Sequence, residues 1–544
     1  MTQNVSKSIF GQKTARARKI CLVRAPTITN VEAVGQDAVP PVGLAYIGGS
    51  LKTAGHTVIG VDAVGAAVHQ YTRVHQSPNA LLHGLTTEEI IAQIPKDSEI
   101  IGVSCMFSVE WLYTRALIEA IRGAFPNVLL IVGGEHITAC PEYSLQTCTV
   151  IDVGILGEGE EGILELIEAY SSGRPFAEIK GVVFRQDGIV TVNPSRSRVR
   201  RIDEIPEPDW TIFPVREYIE NALTHGANLG RTMPILGSRG CPYQCTFCSN
   251  PAMWTTLWVA RKPENVIAEI KKYMVEYKAT NFDFYDLTAI VKKDWILEFC
   301  DLLQKENLNI TWQLPSGTRS EAIDGEVARA LYASGCRIIN YAPESGSDEE
   351  LKRIKKKVKV DRMLESMRSV HKEGMQIKVN FIFGLPGSSW KDIRKTFKFI
   401  LQLAWLGVED VACFGFSPYP GSELFRELIK SGRISLNDEY FQNLLAYTDP
   451  ANAVSYVDFL SARRLSMVNM IGMAFFYGSS WLIRPHRGLK VAWSFLVKDT
   501  STKLTMALSH RSRKRMAMNL ARSNTLDTVV IPPLFRPKGE AARS

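Results

Sequence analysis

Along the first third of the chain, short uninterrupted apolar runs alternate with stretches whose apolar positions recur every three to four residues. "KICLVRAP" from residue 19, "HTVIGVDAV" from 56, "EIIGVSCM" from 99, "VLLIVGGEH" from 128 and "TVIDVGIL" from 149 read as strands buried on both faces. "PPVGLAYIGGSLKTAG" reads as a loop and helix closed by Gly55, and "GEEGILELIEAY" as a second helix. Apolar strands separated by helices predict a parallel, doubly wound α/β sheet, Rossmann-like, over residues 19–178. "IKGVVFRQDGIVTVN" then reads as a hairpin turning at Asp187-Gly188, and the acidic, Pro-rich "IDEIPEPDWTIFP" as a linker, together filling 179–226. A second alternation follows, with strands in "MPILGS", "NFDFYDL", "NITWQLP", "RIINYAPE", "IKVNFIFG" and "DVACFGF" and helices such as "PENVIAEIKKYMVEY" between them. Repeated βα units predict a full or partial (β/α) barrel over 227–450, with its chemistry at the strand ends. Residues 451–544 are helical in pattern, apolar and then basic. The stretch "LSMVNMIGMAFFYGSSWLI" has 19 residues without charge, close to the ~20 that span a bilayer. Its Asn, Ser and Gly favour a buried or interfacial helix instead.

Composition narrows the class. At 544 residues, 45% hydrophobic and 22% charged, the chain is globular and long enough for two or three domains. Its ten cysteines are too sparse for a disulfide scaffold. Cys21, Cys105, Cys300 and Cys413 sit in apolar runs as small hydrophobes, which suits a reducing, cytoplasmic setting. The net charge of +8 gathers in the tail, residues 1–18 with "KTARARK" at its end, and in the late run "HRSRKRMAMNLAR". Such runs suit an anionic membrane face or nucleic acid, or are solvated tails. The first twenty residues lack the apolar centre of a signal peptide.

The sharpest chemistry lies in "GSRGCPYQCTFCSN" (237–250), where Cys241, Cys245 and Cys248 are spaced C-x₃-C-x₂-C. Structural zinc takes four protein ligands, usually as two pairs, and no second pair is signalled beside the isolated Cys300 and Cys336. A cubic iron–sulfur cluster held by three thiolates keeps one iron open. C-x₃-C-x-F-C after a strand that opens a βα barrel resembles the radical S-adenosylmethionine (SAM) enzymes. That resemblance implies a [4Fe-4S] cluster whose fourth iron is chelated by SAM, and a 5′-deoxyadenosyl radical made on reduction. It implies a SAM site at Phe247, at Glu344, Ser345 and Gly346 of "YAPESGSDEELK", and at Gly384 of "NFIFGLPGSSWKDI". Ser389 stands where the family often has Glu. "FSPYPGSEL" resembles the family's P-x-P-G segment; Tyr419 within it, with Arg319 and Asp286, is a candidate for the substrate pocket. For Asp286, helix capping is the competing expectation. The likeness covers about residues 227–450.

The preceding domain resembles the cobalamin-binding domain of one large radical SAM subgroup, which includes class B methylases and anaerobic magnesium-protoporphyrin cyclases. The segments that carry this are "PPVGLAYIGGSLKTAGH", "GVSCMFS", "GGEHITACPE" and "GEGEEGILEL". Ligands of such folds lie beyond the carboxyl ends of the strands, so the resemblance implies cobalamin near Gly43, Ser104, Gly133, Gly134, Gly157 and Gly159. The D-x-H-x-x-G cobalt-ligand motif of the cobalamin mutases is missing, because Asp62 is not followed by that His; His136 is expected to pack rather than ligate. The expected activity is cobalamin-dependent methylation of an unactivated carbon. The alternative within the family is a non-methylating cyclase or coupling enzyme. A metal protein binding nucleic acid is disfavoured, since no aromatics interleave the basic run. The implied partners are a small-molecule or lipid-like substrate, a reductant such as flavodoxin or ferredoxin, and peripheral contact of the C-terminal region with the inner membrane face.

Overall fold

The computed structural model describes residues 10, 13–14, 16–33, 38–75, 77, 79–319, 322–449, 452–496, 503–523 and 527–531. Two sheets organise them. The first has seven strands in the spatial order 189–192, 182–186, 153–155, 129–133, 100–104, 19–24, 57–62. The five strands before residue 156 are parallel and the hairpin is antiparallel, so the hairpin after residue 178 extends this sheet rather than standing apart from it. Chain order reverses between Lys19–Arg24 and Ile100–Ser104, which puts the switch-point crevice beyond Arg24 and Ser104. The second sheet has six parallel strands in chain order, Thr232–Ile235, Asn281–Phe284, Thr311–Thr318, Cys336–Glu344, Gln376–Phe383 and Asp410–Gly415. This is a partial barrel with helices outside.

Alternation sorts the barrel's side chains. Trp312, Tyr341 and Phe381 are fully buried toward the outer helices: Trp312 meets Phe299, Tyr341 bonds Ser366 at 2.8 Å, and Phe381 meets Phe399. Their neighbours Gln313, Asn340 and Asn380 therefore face the interior.

The C-terminal region closes the assembly. Helix Ala462–Ile483 crosses helix Trp390–Leu406 and the edge strand Asp410–Gly415. Its buried face carries Leu465, Asn469, Gly472 and Phe476. No helix among the described residues is long and apolar enough to cross a membrane. Helix Lys503–Ser523 returns to the first domain. There Ala517, Met518 and Ala521 pack on Tyr71, Leu81 and Val529, and strand Thr528–Val530 completes a four-stranded sheet with 70–73, 80–83 and 27–30. This corrects the picture of solvated basic ends. Arg511 and Arg515 both bind Glu32, and Lys514 is buried against the Ala33 carbonyl at 3.0 Å. At the other end Arg18 pairs with Glu99 at 2.6 Å. Residues 1–9 of the basic tail and 532–544 lie outside the described residues.

Candidate active site

The cysteine loop is built onto the barrel mouth. Asp286, at the end of the second barrel strand, accepts from Gly237 N at 3.0 Å and from the Ser238 hydroxyl, fixing the approach to Cys241. This corrects both expectations for Asp286: the next helix starts at Lys293, so it caps none, and both carboxylate oxygens are used by the loop. Burial pushes its carboxyl up to about 6, against those donors. Farther along, Thr246 N donates to Ile354 O at 3.0 Å, and Leu424 N to Thr246 O at 2.9 Å, tying the loop to the segments after the fourth and sixth barrel strands.

All three cysteines are free and half-buried. Burial raises each thiol, that of Cys248 to about 12. Among the described residues no group of acidic, His or Cys side chains is gathered tightly enough for a single ion. A cubic cluster asks for something else, since its thiolates bind separate irons. The loop also leaves Thr246 Oγ1 and Asn250 Oδ1 buried without partners, a polar lining with room to be satisfied. The donor set fits a cluster.

A buried ion pair stands over the loop. Lys356 Nζ meets Glu344 Oε1 at 2.7 Å and lies 5.6 Å from the Phe247 ring. Glu344 and the residues flanking Lys356 hold left-handed backbones (Glu344 φ 68°, Lys355 φ 54°, Lys357 φ 53°), strain of the kind kept at functional positions. Burial lifts the Glu344 carboxyl while Lys356 pulls it back. Burial works against the Lys356 ammonium, but Glu344 and Cys245 more than offset it, and its pKa rises. Arg319 lies against the same loop, its guanidinium 3.4 Å from the Tyr243 ring centre and donating to the Lys356 and Lys357 carbonyls. It braces the loop, which corrects its place in the substrate pocket.

Of the other expected SAM residues, Ser345 and Gly346 turn away. Ser345 Oγ donates to Glu350, Gly346 N donates to Thr396 Oγ1 at 3.0 Å, and a Cβ on Gly346 would meet Thr396 Cα at 2.7 Å. At Gly384 (φ 78°) the place of a Cβ is filled by Leu465 at 3.0 Å, so this glycine admits the C-terminal helix. Inside the barrel, Asn340 Oδ1 and Asn380 Oδ1 are buried acceptors without partners. They suit the amino groups and hydroxyls of SAM and carried no recognisable signal in the sequence.

The first sheet presents its strand ends to this loop. Ser249, next to Cys248, hydrogen-bonds Glu135, and Gly157 lies 3.9 Å (by its would-be Cβ) from Met253 O. Gly43 opens onto free space, and Gly133 has nothing nearer than 3.9 Å where a Cβ would stand. At Gly134 (φ 111°) a Cβ would strike Cys105 O at 2.3 Å, so only glycine makes that turn. Ser104 ends its strand beside Gly133. These residues fit a flat macrocycle over the strand ends. Gly159 does not belong with them, because its Cβ position is taken by Ile47 at 2.8 Å in a helix–helix contact. His136 is fully buried, stacks on Trp111 and bonds Ser108 and Ser144 through its two ring nitrogens. Burial lowers its pKa to about 3, and it offers no nitrogen to cobalt.

Between the two sheets runs a seam of half-buried polar groups. Tyr419 and Tyr447 meet edge to face at 5.9 Å, and burial is the main cause that raises both phenols, with Glu135 and Glu110 adding to it at Tyr419 and Glu344 and Cys248 at Tyr447. Burial raises the Glu110 carboxyl to about 7, with Arg24 opposing. Tyr419 was singled out in the sequence; Tyr447, Glu110, Glu135 and Lys356 were not.

Comparison with known proteins agrees with this geometry. Residues 235–400 match the Radical SAM superfamily and residues 29–167 the B12 binding domain. The chain belongs to the B12-binding radical SAM enzymes. Its cofactors are a [4Fe-4S] cluster, SAM and cobalamin. It is 29% identical to the uncharacterized methyltransferase PH0819 of Pyrococcus horikoshii, over 76% of this chain and 84% of that one. It is 24% identical to cytidylyl-2-hydroxyethylphosphonate methyltransferase of Streptomyces wedmorensis, over 79% and 85%. Among solved structures, the radical SAM methyltransferase TsrM of Kitasatospora setae shares the fold (TM-score 0.59, 17% identity, 76% of each chain); it was solved with tryptophan and a SAM analogue.

Proposed function

We propose that this B12-binding radical SAM enzyme methylates an unactivated carbon of a small-molecule or lipid-like substrate. The observation that carries the reading is the hydrogen bond from Ser249 to Glu135. It sets the residue beside the third cluster cysteine against the strand-end loop of the B12 domain, so both cofactor sites open onto one seam. When bound, the cluster, SAM and cobalamin supply a carbon radical and a transferable methyl group. The chain's own residues hold and shield. Arg319 and Asp286 fix the cysteine loop, the Glu344–Lys356 pair places charge beside it, and the half-buried Tyr419, Tyr447 and Glu110 line the seam where a substrate carbon would sit between the two sheets. A one-electron donor of the flavodoxin or ferredoxin type would reach the cluster from outside. Relatives named as methyltransferases support the reading, and TsrM holds a small aromatic amino acid as its substrate.

The test is anaerobic purification from cells supplied with cobalamin, followed by incubation with methyl-deuterated SAM, a reductant and host-cell extract. Expected are iron and corrinoid together, 5′-deoxyadenosine, and one extract component carrying a deuterated methyl. Deoxyadenosine and a changed extract component without deuterium would replace methylation by a cyclase or coupling reaction.

A further inference from the structure

Helix Ala462–Ile483 is apolar on the wrong side for a helix that only caps a barrel. Its inner face is buried on the core, yet its outer face carries Met467, Met470, Ile471, Phe475, Trp481 and Leu482, all exposed, with Leu482 at 85%. No charged residue interrupts this face between Arg464 and Arg484. From Met467 to Leu482 the ridge is about 22 Å long. The next helix, Pro485–Leu496, continues it with Leu489 (71% exposed) and Trp493 (64%). Trp405, 71% exposed, stands at the corner, where Arg484 donates to its carbonyl at 3.0 Å. Beside it a surface groove of about 490 Å³ is lined by Leu364, Leu401, Trp405 and Leu406 together with Arg368 and Gln402.

Charge says what covers this ridge. Arg463 and Arg464 flank one end, and Arg484, Arg487 and Lys490 the other; from residue 459 to 498 there is no Asp or Glu. Arg487 is paired with Glu409 at 3.2 Å, and the other four cations leave the rim with an excess of positive charge. An apolar ridge with tryptophans and a net cationic rim complements the interfacial zone of a bilayer bearing anionic headgroups. A soluble protein partner would more often be met by charges of both signs at the rim. We infer that the 462–493 surface docks the enzyme onto an anionic membrane, with the ridge resting among the headgroups and no segment crossing. The inference stands apart from the methylation reading, since it rests on this outer surface and not on the seam.

The experiment is flotation of the full-length protein with phosphatidylcholine vesicles, with and without phosphatidylglycerol. Protein is expected to float with the phosphatidylglycerol vesicles at low salt, and less at high salt. The variant L482E/L489E/W493E changes only exposed side chains and should keep its melting temperature and iron content, while its vesicle-bound fraction falls at least about tenfold. R463Q/R464Q should bind more weakly and lose part of the salt dependence. Wild-type protein remaining unbound overturns the inference, as does equal flotation of the triple variant. So does a concentration-dependent dimer that the triple variant abolishes with no vesicle binding by either protein, which would give the ridge to a second copy of the chain.

Discussion

Lys356 stands in "KRIKKKVK", a run that reads as solvated charge, and nothing in its spacing separates it from its neighbours. Only the fold, by turning the chain left-handed on both sides of it, buries it on Glu344 beside Cys245. The cysteines stand out because ligation of a cluster would dictate such spacing, and Glu344 because it sits in a motif at a strand end. Their cationic partner does not. Breaking one half of a buried pair strands the other charge, at about 3–5 kcal/mol, whereas removing both is far milder. E344Q and K356M are therefore each expected to lower stability by that order and E344Q/K356M to recover most of it, as read by denaturant titration. SAM binding should stay weak in all three, because none of them keeps the Glu344–Lys356 pair intact. Asp286 gives a pH signature. Its carboxyl is raised to about 6 from an ordinary value near 4, so the folded state holds the proton more tightly. Its contribution is then complete below the unfolded value and is lost as pH climbs to about 6. The loss is on the order of 3 kcal/mol at most. D286N should flatten stability between pH 4 and 6 relative to wild type; parallel curves would remove Asp286 as the source.

Long βα units announce themselves by apolar strands and periodic helices, and those of both sheets were readable for that reason. The four-stranded sheet was not. Strands Thr27–Asn30, Gln70–Arg73 and Ala80–His83 are four residues each, without clean alternation, and their last partner, Thr528–Val530, arrives from the far end of the chain. Local pattern cannot show a pairing made only by tertiary closure. Gly384 teaches the same lesson. In the sequence it belongs to a turn motif; in the fold Leu465 of the C-terminal helix occupies the place of its missing side chain. G384A combines a left-handed backbone with a 3.0 Å contact, and should cost about 1–3 kcal/mol. The C-terminal helix should loosen first, so limited proteolysis between residues 450 and 462 should speed up before the core sheet becomes sensitive. Unchanged cleavage there would mean that Leu465 yields without disturbing its helix.

Two cofactor sites are useful only if they stay in register, and a charged clasp performs that task. Glu158 Oε2 accepts from Arg198 Nε at 2.7 Å, Glu160 Oε1 from Arg239 Nη2 at 2.6 Å, and Arg239 reaches back to Glu158 at 3.4 Å. All four side chains are at most 7% exposed. The glutamates follow the glycine turn of the B12 domain; Arg239 precedes Cys241 by two residues. Arg239 also lies 4.8 Å from the Tyr46 ring, on the helix that begins at Val42 beside Gly43. Such pairs add little net stability over an apolar contact, but they specify one relative placement, since any slip leaves buried charge unpaired. E158Q/E160Q keeps the shapes and removes both anions, stranding two guanidinium groups in the seam. The core barrel, with its cysteines and its own packing, should remain folded and keep its iron. The B12 domain should separate from it thermally, turning one calorimetric transition into two and lowering retained corrinoid. A single transition at the wild-type temperature with full corrinoid would show that apolar packing alone holds the two sheets in register.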